Sequence, residues 1–179
     1  EQPAVLNSVT LDDSHSVGQT FVAKFDGMDS IEVYLEPQNG ADAEIQLILR
    51  ESIHAENLGR SNLTTKEILT PGYYRFQLPI QVDSNQQNYY LILKVKGSGS
   101  FKVGSAPGNT YLNGALYQNN TPNNQEQMAF QLSYYLPRVG LGLLSEAFNW
   151  ALCLLVAGFL FIIPGWVSMD LAGWGRQTQ

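Results

Sequence analysis

Residues 17–36 alternate apolar and polar positions with the two-residue period of a half-buried strand. Phe21, Ala23 and Phe25 fall on one face, and Asp26-Gly27-Met28-Asp29 predicts a turn. Ile31, Val33 and Leu35 then alternate with Glu32, Tyr34 and Glu36, so the segment is predicted as a strand pair. Pro37-Gln38-Asn39-Gly40 predicts the next turn, and Ile45, Leu47 and Leu49 mark a third strand. Residues 51–70 lose the period and are open between a long loop and a short helical turn. Strand character returns at 73–78, 89–96 and 100–104, more weakly at 115–118, and last at 128–136, with Gly97-Ser98-Gly99 read as a hairpin turn.

About eight short strands, turns rich in Gly, Asn and Pro, and no convincing amphipathic helix before residue 139 predict an all-β antiparallel sandwich of the jelly-roll kind. An up-and-down barrel and an immunoglobulin-like sandwich stay open as topologies, although the Cys and Trp signature of true immunoglobulin domains is absent.

The pattern changes after Pro137-Arg138. Residues 147–169 run for 23 positions without a charge. As a helix they extend about 34 Å at ~1.5 Å per residue, enough to cross a bilayer. Core helices are usually shorter and seldom uncharged all round. The expected organisation is an extracytoplasmic β-sandwich over 1–138, a short interfacial linker over 139–146, one C-terminal transmembrane helix over 147–169 and a polar tail over 170–179. Trp150, Trp166 and Trp174 are the chain's only tryptophans and lie in or beside this run, as expected of rings at the headgroup levels. Ala147, Ala151, Gly158 and Gly165 fall near one stripe of the helix, where a partner helix can approach. Residue 1 is Glu rather than Met, so a preceding signal peptide or membrane span is expected. Arg138 and Arg176 flank both ends, so orientation does not follow from the basic residues.

Charge removes one class of partner. Residues 1–138 hold nine Lys or Arg against fourteen Asp or Glu, and such an acidic domain is not expected to bind nucleic acid. Cys153, the single cysteine, sits in the apolar run, so the β domain has neither a disulfide nor a thiolate site.

Catalytic chemistry is thin. The histidines are His15 and His54, and neither has a neighbouring ligand at zinc spacing. Asp12-Asp13-Ser14-His15 holds the residue types of a hydrolase triad, but near-consecutive positions do not supply the geometry of a base between nucleophile and acid. No nucleophile elbow, phosphate loop or dinucleotide fingerprint occurs. Asp12, Asp13, Asp26, Asp29 and Asp42 have oxygens that suit calcium, but they also suit ordinary turns. No enzyme activity, cofactor or metal is expected.

Aromatic and amide groups are more informative. All nine tyrosines precede residue 139, including the pairs Tyr73-Tyr74, Tyr89-Tyr90 and Tyr134-Tyr135. In a strand each pair directs one ring to either face, so one is expected in the core and one outside. The segment 117–127, YQNNTPNNQEQ, is expected to form a long amide-rich loop. Tyr74, Tyr90, Tyr117, Asn119, Asn120, Asn123, Asn124 and Tyr135 are therefore the candidate ligand or partner surface, with chemistry suited to sugar rings and to protein contacts alike.

The stretches VGQTFVAKFDGMDSIEVYL at 17–35, YRFQLPI at 74–80, Asp83-Ser84, YYLIL at 89–93 and Met128-Ala129-Phe130 resemble a jelly-roll domain found outside bacterial membranes. Such domains are similar in architecture to carbohydrate-binding modules and often precede membrane helices in cell-envelope proteins, including polytopic proteins of glycosyltransferase type. FIIPGW at 161–166 resembles the first span of such proteins, although the chain ends 13 residues after Trp166. The resemblance transfers no catalytic residue. It implies a single-pass protein of the bacterial cell membrane, in contact with the lipid bilayer. One span and no catalytic set make a non-enzymatic accessory subunit of a larger bacterial membrane complex, its β-sandwich making protein contacts with other membrane subunits, the leading expectation. The alternatives are a membrane-tethered glycan-binding module and the N-terminal fragment of a polytopic glycosyltransferase-type protein.

Overall fold

A computed structural model describes residues 2–39, 42–135 and 150–152. The chain divides into two units, Glu1–Val139 and Gly140–Gln179. Twelve strands occur among the described residues of the first unit. They are β1 (Asn7–Leu11), β2 (Val17–Val22), β3 (Met28–Asn39), β4 (Ala43–Arg50), β5 (Asn57–Thr64), β6 (Gly72–Gln81), β7 (Asn88–Gly97), β8 (Ser100–Pro107), β9 (Leu116–Gln118), β10 (Thr121–Asn123), β11 (Glu126–Met128) and β12 (Phe130–Tyr134).

Every pairing among these strands is antiparallel, and they form two sheets of six. The first holds β1, β3, β6, β8, β11 and β12; the second runs β10-β9-β2-β7-β4-β5. The predicted antiparallel sandwich is what the chain forms. Alternation explains it: Phe21, Ile31, Leu35, Ile45, Leu47, Leu49, Phe76, Phe101 and Phe130 are at most 1 % exposed and meet between the sheets. Each such side chain contributes about 1.5–3 kcal/mol on burial, which fixes register because a one-residue slip would turn it to solvent.

The structure corrects several local expectations. β2 and β3 are not paired; they belong to opposite sheets, so residues 23–27 turn a corner between layers. Gly27, at φ 80°, donates its amide to Gln81 O, while Ser84 Oγ donates to Phe25 O and accepts from Met28 N. The Phe25 ring leaves the core, 44 % exposed and edge-on to Tyr134. Gly97-Ser98-Gly99 likewise crosses between sheets rather than closing a hairpin. Gly97 adopts φ 92°, and a Cβ there would stand 2.8 Å from Asp42 O. β3 continues through the expected turn at Pro37-Gln38-Asn39 by pairing with β8. Eight residues of the irregular stretch 51–70 form the edge strand β5. The last strand is split at Ala129 into β11 and β12.

A polar clasp ties the layers. Gln19 on β2 is buried, donates to Gln127 Oε1 at 2.7 Å and accepts from Met128 N at 3.0 Å. Gln127 in turn donates to Gly114 O at 2.9 Å, anchoring the connection before β9.

Among the described residues no helix is long and apolar enough to cross a membrane. Of the predicted span only residues 150–152 are described; they are helical, with Trp150 and Ala151 exposed. The rest of the predicted span, with Ala147, Gly158, Gly165 and Trp166, and Trp174 in the tail beyond it, lie outside the described residues.

Candidate functional site

Strand alternation gives the β10-β9-β2-β7-β4-β5 sheet a second, outward face. Leu47 and Leu49 enter the core, so Glu44, Gln46, Ile48 and Arg50 point away from it. Register brings Lys96, Lys94, Ile92 and Tyr90 of β7 opposite these four. Thr64, Asn62 and Arg60 of β5 stand opposite the first three on the other side. On β2 and β9 the same face carries Gly18, opposite Ile92 and Tyr117.

An apolar floor lies in this polar face. Ile48, Tyr90 and Ile92 are buried there, with Ile53 and Tyr117 packed against them. Tyr90 is wholly buried, which corrects its expected place as an exposed ring. Its neighbour Tyr89 is buried in the main core, so the 89–90 pair splits between the two faces as expected but has no exposed member. Tyr90 fits because Gly18 has no side chain: a Cβ on Gly18 would meet Tyr90 Oη at 2.4 Å. Burial raises the Tyr90 hydroxyl to about 12, with Tyr117 adding to the rise and Arg50 opposing it, so the ring stays neutral at physiological pH.

The amide-rich segment is not a long loop. β9 and β10 form a two-residue hairpin in which Asn119 and Asn120 take φ of 50° and 62°, the left-handed geometry that Asn tolerates and such turns require. Asn119 Oδ1 accepts from Ser16 N at 2.8 Å, and Asn120 Oδ1 accepts from Tyr90 Oη at 3.3 Å. Both side chains therefore spend their oxygens on the domain and keep their N–H donors for the exterior. Tyr117 stands edge-on to Tyr90, ring centroids 5.5 Å apart, and is half-buried. Gln46 donates to Asn62 Oδ1 at 3.1 Å farther along the same face.

Four of the eight sequence candidates in the sandwich thus come together: Tyr90 as support, with Tyr117, Asn119 and Asn120 above it. The others are elsewhere. Tyr74 turns toward the core, and its hydroxyl donates to Thr70 O. Asn123 Oδ1 caps the next turn by accepting from Gln125 N at 3.0 Å, and Asn124 is exposed in that turn. Tyr135 is 47 % exposed at the opposite, 25–27 corner, where its amide donates to Gly27 O. Sequence reasoning missed Gly18, Gln46 and Asn62. The signal was present in the short apolar runs 47–49 of β4 and 89–93 of β7, since a strand segment apolar on both faces has something covering both.

The Asp12-Ser14-His15 group is a local turn. Asp12 Oδ1 accepts from Ser14 N, Ser14 Oγ and His15 N, and contacts His15 Nδ1 at 2.8 Å. Partial desolvation pushes its carboxyl up, but those hydrogen bonds prevail and hold it at about 2. His15 Nδ1 also lies 3.3 Å from Ser14 Oγ, but the same nitrogen faces both partners and cannot donate to Asp12 while accepting from Ser14, so the group lacks the two-nitrogen relay of a catalytic triad. Among the described residues no three His, Cys, Asp or Glu side chains converge on a point where a metal would fit.

No family model and no curated protein matches the chain. Among solved structures it is similar to a family 6 carbohydrate-binding module from Clostridium stercorarium in complex with cellobiose, at 19% identity and TM-score 0.36 over 52% of this chain and 66% of that one. It is similar to an arabinoxylan arabinofuranohydrolase from Bacillus subtilis in complex with cellotetraose, at 14% and 0.36, over 54% of this chain and 20% of that one. A family 36 module in complex with calcium and xylotriose matches at 12% and 0.33, over 62% of this chain and 78% of that one. The chain spans less than two thirds of the first two proteins, and at these scores the likeness assigns neither ligand nor activity.

Proposed function

We propose that the domain is a non-enzymatic glycan-binding β-sandwich, held outside a bacterial membrane by the 147–169 segment. The observation that supports it is the Tyr117 platform: a half-exposed ring propped on a buried neutral tyrosine, flanked by outward amide donors of Asn119 and Asn120. Sugars present an apolar C–H face and a rim of hydroxyls, and a rigid aromatic ring beside fixed amides meets both at low entropic cost. Gln46 and Asn62 extend the amides across β4 and β5, so the surface suits a chain of sugars more than one. The full-length protein in mild detergent, applied to a glycan array, is expected to retain specific oligosaccharides. Tyr117→Ala should lower that affinity about tenfold, the equivalent of ~1.4 kcal/mol. A blank array, or binding indifferent to Tyr117→Ala, overturns the reading.

A second reading, an accessory subunit of a membrane assembly, draws support from the other end of the sandwich. Phe25, Val82 and Tyr135 are each 44 to 47 % exposed there, on loops joined by the Gly27–Gln81 and Tyr135–Gly27 hydrogen bonds. Stoichiometric membrane subunits co-purifying from native membranes, and lost with Phe25→Ser, would favour it.

A further inference from the structure

The outward face of the second sheet also gathers charge of one sign. Arg50, Arg60, Lys94 and Lys96 lie on it by register, against Glu44 as the one acid among the outward positions of β4, β5 and β7. Composition does not require this, because the domain as a whole carries an excess of acids. The first sheet balances its cations: Arg75 pairs with Glu32 at 2.8 Å, and Lys102 stands opposite Glu36. On the second sheet Lys96 stands opposite Glu44 in the same way, but Arg60 and Lys94 face Ile48 and Gln46 across the register, are exposed and lie within ion-pair distance of no acid among the described residues. Arg50 is held by Asn57 Oδ1 and Ile53 O, and with Arg60, His54, Asn57 and Glu56 it borders a groove of 610 Å³ at that end of the face.

These cations flank the apolar floor of Ile48 and Ile92. Charges at the edge of buried apolar surface are less screened than charges standing free in water. Arg60 and Lys94 lie on strands separated by β4, so their backbones are about 10 Å apart across the sheet at ~4.8 Å per strand. That spacing addresses separate groups along an extended ligand, not one small ion.

We propose that the ligand of this face is an anionic glycan, bearing carboxylate or phosphate groups along its chain, with Arg60 and Lys94 as their principal receptors. This deepens the glycan reading of the same surface and rests on it. The ring and amides hold the sugar while the cations select for charge.

The test titrates the full-length protein in mild detergent with polygalacturonate, with its methyl ester of the same backbone, and with an oligodeoxythymidylate of matched charge. Polygalacturonate should bind about tenfold tighter than the ester, a difference of ~1.4 kcal/mol that shrinks as salt rises. The exposed double variant Arg60→Gln/Lys94→Gln should erase that difference, whereas Tyr117→Ala should weaken both polymers alike. Equal binding of acid and ester overturns the charge inference and leaves the glycan reading intact. Oligodeoxythymidylate bound as tightly as polygalacturonate overturns it by making the face a general polyanion surface. Failure of both polymers overturns the inference, and if the glycan array is also blank, the glycan reading falls with it.

Discussion

Gly18→Ala is the smallest change that joins the fold to the candidate site. The added Cβ would stand 2.4 Å from Tyr90 Oη and 2.7 Å from Tyr90 Cε2 and Cζ, closer than such atoms approach. A surface tyrosine would swing aside at little cost. Tyr90 is wholly buried beside Ile48, Ile92 and Tyr117, so moving it exposes the apolar floor or forces β2 away from β7. Overpacking of this kind costs about 1–3 kcal/mol. For a folded unit of 139 residues, with ~2.1 cal/mol/K of unfolding entropy per residue, that lowers Tm by about 3–10 °C. Urea and thermal unfolding of the full-length protein in mild detergent, followed by circular dichroism, measure it. Glycan affinity should fall as well, because Tyr117 loses its support. Adding Tyr90→Phe removes the nearest clashing atom and should recover part of the stability. A Gly18→Ala protein within 0.5 kcal/mol of the parent would refute the argument, as would a double variant no more stable than Gly18→Ala.

Three further outcomes follow from the same geometry. Gln127→Ala should cost about 2–3 kcal/mol in urea unfolding, since it strips partners from the buried Gln19 amide and from Gly114 O; a loss below 0.5 kcal/mol would show that the clasp is dispensable. Stability should decline between pH ~10, where tyrosine in the unfolded chain ionises, and about 12, where Tyr90 does, because the folded state keeps the proton longer. Tyr90→Phe should flatten that stretch of the stability curve; an unchanged slope would contradict the assignment. Asp12 should titrate near 2 by NMR, so the turn's contribution is present above the ordinary aspartate range and lost as pH falls through its folded value, and an ordinary aspartate value would mean that the hydrogen bonds around Oδ1 do not hold in solution.

The core was legible because period-two alternation in β3, β4 and β6 is a direct record of one buried face. Layer assignment was not. The corners at 23–27 and 97–99 look in sequence like tight hairpins, and only long-range bonds such as Ser84 to Phe25 and the fit of Gly97 against Asp42 send the next strand to the other sheet. β5 was missed because an edge strand with one polar face, broken by Asn57 and Gly59, has little local signal. In the candidate site the composition of 117–127 drew attention to the right amides, but Tyr90 could not be told from its exposed counterparts. Its burial depends on a glycine 72 positions away in the chain, a pairing that no local pattern encodes.

The central claim is tested most directly by an amide-resolved NMR titration of the full-length protein in mild detergent with polygalacturonate. The account expects shifts confined to Gly18, Gln46, Asn62, Arg60, Lys94 and the Tyr117–Asn120 hairpin, saturating with a single affinity. Shifts centred on the Phe25, Val82 and Tyr135 corner, or no shift at ligand concentrations that saturate such modules, would contradict it.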